Sequence, residues 1–173
     1  MKKVRIVAVV TALLAGAVFG AAPRAAAQIF PNDAGPTKID VSSYPKEMQK
    51  TYAEFQKKCS NCHTIARPIN AQFVELNAEE EAKARKDQPD LFTDTRLIDV
   101  SEHAWNRLVK RMMAKPGCPV NKMSGKRIWE FLVYDSKARK TGAKAAAWKA
   151  ARLKLVEDFE KKHPDDYKRL FPK

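Results

Sequence analysis

The chain has 173 residues, three cysteines and a formal charge of +13. Nothing after residue 22 is apolar over the roughly 20 residues of a membrane-spanning helix, so these numbers leave one modest core under a basic surface. Such a surface favours an acidic protein, an anionic membrane or a nucleic acid as partner.

The first residues read as an export signal. Lys2, Lys3 and Arg5 make a positive start, Ile6 to Ala22 form an apolar run, and Ala25-Ala26-Ala27 place small residues for cleavage before Gln28. The alternative is an uncleaved anchor, for which a 17-residue run holding Gly16 and Gly20 is short. Cleavage after Ala27 removes Lys2, Lys3, Arg5 and Arg24 and no acid, so Lys+Arg falls from 33 to 29 against 20 acids and leaves +9 on 146 residues. A periplasmic location follows from export, and it sets nucleic acid aside as the partner.

Residues 28–44 are rich in Pro, Gly, Asn, Asp and Ser and read as an irregular arm. A first helix is predicted from Pro45, which suits the first helical position. Met48, Tyr52, Phe55, Cys59 and Cys62 recur at steps of four and three, which is one helical face. From Ile65 to Val100 the pattern is weak, and Pro68 and Pro89 interrupt it. Asn77 to Lys86 reads as a short helix with a mixed-charge face in water.

The next helix is predicted over Ser101 to Lys115, with Asp99 as the capping acceptor and Glu102 at capping-box spacing. Trp105, Leu108, Val109 and Met112 make its apolar face, and Pro116-Gly117 stops it. A third helix starts at Asn121 or Ser124 and runs to Asp135. The last 37 residues hold 12 Lys/Arg against five Asp/Glu and include a helical stretch over Ala143 to Lys162, ended by Pro164. Trp148, Leu155, Val156 and Phe159 form an imperfect stripe that packs on the chain's own surface or docks a partner. No strand-period segment stands out, and there is no internal repeat. The reading is all-α.

Cys59-Ser60-Asn61-Cys62-His63 is a C-x-x-C-H motif, the attachment signature of haem c. Two thiols three residues apart can each form a thioether with one vinyl group of a single haem, and the adjacent imidazole is then held over the iron. A thioredoxin-like pair lacks its βαβ setting. A structural zinc site wants four ligands, and Cys118, His103 and His163 are scattered. A Cys59–Cys62 disulfide leaves His63 unexplained.

This motif at the end of a first helix resembles the class I cytochromes c. The stretch Trp105 to Met112, then Lys115-Pro116-Gly117, then a helix ending Trp129-Glu-Phe-Leu-Val-Tyr134, is similar to short bacterial members. The resemblance covers about residues 45 to 135. It implies a cytochrome c-like domain over 45–136 around one haem, with His63 and a methionine as axial ligands. The segment 75–100 and the basic helical extension 137–173 depart from it.

Met112 follows Trp105 by seven residues on the same face and matches the resemblance, so it is the expected sixth ligand. Met113, Met123 and His103 are the other candidates. Arg67 is a candidate contact for a haem propionate. Cys118 reads as a small buried loop residue or a link to another chain. The expected function is electron transfer, not enzymatic, to redox proteins with an acidic docking surface or to a membrane redox complex. The alternative is an open-iron haem enzyme or gas-binding sensor.

Overall fold

The computed structural model describes residues 29–87 and 99–171. The expected export signal lies outside them. The described residues are mostly helical with very little strand, and none of their helices is long and apolar enough to cross a membrane.

Helix α1 spans Lys46–Cys59, with Pro45 just outside it as the N-cap. Tyr52 and Phe55 are buried and Met48 and Cys59 half-buried, as the spacing predicts. Cys62 does not continue that face. The helix ends at Cys59, where the Ser60 hydroxyl donates back to the Gln56 carbonyl, and Cys62 sits exposed in the turn that follows. The short α2 (Ala66–Ile69) comes next. Gln72–Phe73 (β1) pairs in parallel with Asp99–Val100 (β2). Two-residue strands are too short to carry an alternating pattern, so this pairing had no signal in the sequence.

Helix α3 spans Ala78–Asp87 and departs from its expected character. Glu81 turns inward and is 2 % exposed. It receives the Ser101 hydroxyl and the Arg107 guanidinium, and Arg85 at 3.0 Å. Burial alone would raise its pKa, but these donors hold it below the usual glutamate range.

Helix α4 spans Glu102–Met113. Its cap is Ser101, not Asp99: the Ser101 hydroxyl oxygen accepts from the Ala104 N–H at 3.1 Å. A serine here caps α4 and donates to Glu81, which a carboxylate could not do. Gly117, at φ 74°, turns the chain after the helix.

Helix α5 runs from Lys122 to Lys140, more than a turn past the expected end at Asp135. The Asn121 side chain accepts from Ser124 N at 2.9 Å and caps it. The apolar pattern stops at Tyr134, but the buried face continues through Asp135, Ser136 and Lys140. The expected boundary at 136 therefore falls inside a helix.

Helix α5 packs on α1, α4 and the next helix, α6 (Ala145–Lys162). Phe131 is fully buried, 5.5 Å from the Tyr52 ring and 5.8 Å from the Phe55 ring. Trp105 Nε1 donates to Ser136 Oγ at 3.1 Å.

Helix α6 packs back on the chain's own surface, against α5 and the turn Pro31–Ala34. Its buried residues are Arg152, Val156 and Phe159; Trp148 and Leu155 are half-buried. Pro164 does not simply end it: His163 breaks the helix and Pro164 opens a short α7 (Pro164–Leu170).

The Glu81 cluster sets an acid dependence. A carboxylate with a lowered folded pKa contributes stability that is present above the ordinary glutamate pKa and lost as pH falls through the lowered value. Glu81→Gln is expected to cost about 2 kcal/mol in urea unfolding at pH 7. The gap to the parent is expected to narrow as pH falls below the ordinary glutamate pKa of 4.5. A gap that stays constant down to pH 3 would contradict the assignment.

Candidate haem-binding cleft

The end of α1, the turn after it and the inner face of α4 enclose a cleft of about 230 Å³. Trp105, Leu108, Val109 and Met112 line one wall, and Phe55, Cys59, Cys62 and His63 the other. Ile128 and Leu132 of α5 close its base, and Val100, Pro119 and Val120 add apolar surface. Besides His63 and the cysteines, the polar side chains in the lining are Asn32, Lys58, Arg67 and Lys115.

The Cys59, Cys62 and Cys118 thiols are all free and all line this space. Burial, and then the neighbouring Cys118 and Cys62 sulfurs, push the Cys59 thiol up to about 11. Lys58 beside it pairs with Glu54 at 3.1 Å and donates to Ser124 Oγ at 3.0 Å. Cys118 enters the wall because the Gly117 turn folds the chain back, with Cys118 N bonded to Lys115 O at 3.2 Å.

His63 Nδ1 lies 2.8 Å from the Thr64 carbonyl oxygen. A carbonyl only accepts, so Nδ1 carries the proton in this contact and Nε2 keeps its lone pair. A histidine that ligates a metal through Nε2 needs this tautomer.

The three candidate methionines separate. Met112 lines the cleft and is 37 % exposed. Met113 also lines it, but its sulfur lies against Gly125 of α5, where a Cβ would collide with it. Met123 is 65 % exposed at the start of α5 and is not part of the lining. His103 lies in a separate groove with Glu81, Arg85 and Arg107. His163 packs 5.0 Å from the Phe159 ring, away from the cleft.

Arg67 borders the cleft, but its guanidinium forks onto Asp33, with Nε at 2.9 Å and Nη2 at 2.6 Å from the two carboxylate oxygens. It also lies 4.5 Å over the Phe30 ring. The arm before α1 is thereby bound to the cleft wall.

Sequence reasoning missed the polar surroundings of that wall. Asn32, 1 % exposed, donates to the Arg67 carbonyl at 3.3 Å and accepts from Arg152 of α6. Lys140 is 1 % exposed and donates to the Ala71 carbonyl at 2.8 Å. Ala71 itself lines the cleft. The one available signal was a break in the α6 stripe: Arg152 stands four residues after Trp148 and four before Val156.

Among the described residues, no three or more His, Cys, Asp or Glu side chains gather as a metal-binding group. The donors around this apolar space, three thiols, one imidazole nitrogen and two thioethers, are compatible with a flat, largely apolar ligand. Comparison with protein-family models, with curated proteins and with solved structures gives no match to this chain.

Proposed function

We propose that the chain is an exported, single-haem c-type cytochrome that carries electrons. The observation that carries this reading is that Cys59, Cys62, His63 and Met112 line one apolar cleft. Haem c held there would supply one-electron exchange between ferric and ferrous iron.

The chain's own residues divide the remaining work. Cys59 and Cys62 would hold the group covalently, so a small core would suffice to keep it. His63, oriented by the Thr64 carbonyl, would hold the iron through Nε2. Met112 would hold it through its thioether, a ligand that favours the ferrous state. The apolar walls from Trp105 to Leu132 exclude water and lower the local dielectric, which also favours the less charged reduced state. The exposure of Met112 and Cys62 leaves one edge of the cleft near solvent for a partner. The basic surface steers that partner, an acidic redox protein, through a small, salt-sensitive interface.

A peroxidase-type open-iron enzyme would use a distal acid–base group, and His103, the candidate for that role, lies in a groove separate from this cleft.

Covalent attachment is tested by acid–acetone extraction of the intact protein. Haem is expected to stay with the polypeptide, and Cys59→Ala or Cys62→Ala to abolish or strongly reduce stable holoprotein. Haem that extracts freely would contradict the reading.

For the sixth ligand, Met112→Ala is expected to remove the weak methionine–iron charge-transfer band of the oxidised protein, lower the potential and admit carbon monoxide to the reduced iron. Met113→Ala and Met123→Ala are expected to keep the parent ligation spectrum. The same loss from Met123→Ala instead would move the ligand to the start of α5.

Export is tested by N-terminal sequencing of the protein from its native host. A start at Gln28 is expected; a start at Met1 in the membrane fraction would support an anchor.

A further inference from the structure

Lys140 is an unusual residue to bury. Its amine is enclosed in the seam between α5 and α6, where it donates to the Ala71 carbonyl at 2.8 Å and lies 5.0 Å from the Trp148 ring. The charged groups facing it are Asp135 and Arg139 from α5 and Arg152 from α6. Arg139 and Arg152 thus bring positive charge to the seam around Lys140, and Asp135 negative charge. Asp135 is already engaged: Arg139 Nε donates to it at 2.7 Å and the Tyr44 hydroxyl, from the arm, at 2.9 Å. Arg139 and Arg152 stay charged at any ordinary pH, so Lys140 is the member of the group that can release a proton.

The position matters as much as the charge. The Ala71 carbonyl that accepts the Lys140 hydrogen bond belongs to a residue lining the cleft. Asn32, which takes the Arg152 guanidinium, lines it as well. The cationic cluster therefore stands directly behind one cleft wall, with no water layer needed between.

We infer that Lys140 couples electron uptake in the cleft to uptake of one proton. The inference rests on the haem reading. One electron from a one-electron redox partner enters the cleft, and one proton from solvent adds to the lone pair of the neutral Lys140 amine. On oxidation both depart. The added negative charge beside the wall stabilises the ammonium form, so reduction raises proton affinity and protonation raises electron affinity by the same coupling. Burial lowers the amine pKa from its ordinary 10.5 to about 7; Asp135 opposes this shift, and Arg139 and Arg152 add to it. Burial thus favours the neutral amine.

The test is the reduction potential of the full-length holoprotein against pH, for the parent, Lys140→Met and Lys140→Arg, with covalent haem content measured on each. The parent potential is expected to fall as pH rises through about 7, by at most one proton per electron. Lys140→Met, with no titrating group, is expected to be flat in that window. Lys140→Arg keeps a permanent charge and is expected to be flat at the parent's low-pH level. Lys140→Met preserves the apolar volume of the stem, so it carries the comparison where Lys140→Arg does not accumulate. A parent slope that persists with haem in place in the folded variants overturns the proton coupling and leaves the cytochrome reading intact. Absence of covalent haem from the parent overturns both.

Discussion

The crossing of α1 and α5 at Phe131 is the contact on which the cleft depends. Phe131 has no exposed surface, stacks on Tyr52 and packs at a tilt on Phe55 of α1. Aromatic contacts of this kind combine large apolar burial with a preferred geometry, so they set the relative position of the two helices. With that crossing in place, Ile128 and Leu132 of α5 lie beside Phe55 at the base of the cleft. The C-terminal end of α1 then delivers Cys59 and the His63 turn to one side. Helix α4, tied to α5 by the Trp105–Ser136 hydrogen bond, delivers Met112 to the other. Cys59, Cys62 and Met112 line one cleft because α1, with the turn after it, and α4 pack on α5.

The same helix organises a polar half of the molecule. One turn beyond the cleft residues, α5 carries Asp135, Arg139 and Lys140 into the seam with α6. Groups of this kind are costly to bury, and the structure meets that cost with specific partners. Tyr44 and Arg139 take Asp135. Arg152 is bonded to Asn32, and Lys140 to a backbone carbonyl. The Tyr44 hydroxyl is held protonated above its ordinary range by burial and then by Asp135. The arm before α1 and the basic helix after α5 are thus parts of one body, joined through side chains that a binary apolar pattern does not register.

The helices were largely legible because their apolar residues recur at helical spacing. The faces Tyr52-Phe55 and Trp105-Val109 are buried as the spacing predicts, and Gly117 turns the chain after α4. What stayed hidden has a physical reason in each case. Ser101 displaced Asp99 as the cap because a hydroxyl can accept from α4 and donate to Glu81 at once. Glu81 and Lys140 look like solvated charges in the sequence, since periodicity treats a paired buried ion as it treats an exposed one. Helix α5 outran its apolar pattern for the same reason. At the site, the C-x-x-C-H spacing pointed to Cys59, Cys62 and His63, and spacing with the resemblance pointed to Met112; all four line the one cleft. The contribution of Asn32, Ala71 and Cys118 to the same wall depends on contacts over long sequence separations, for which one chain offers no signal.

The proposed function requires that the cleft hold a haem iron bound by both His63 and Met112. The optical spectrum of the purified full-length protein, oxidised and then reduced with dithionite, tests it most directly. Sharp α and β bands on reduction, left unmoved by carbon monoxide, are the predicted result. A protein without visible absorption, or a high-spin spectrum that carbon monoxide shifts at once, would contradict it.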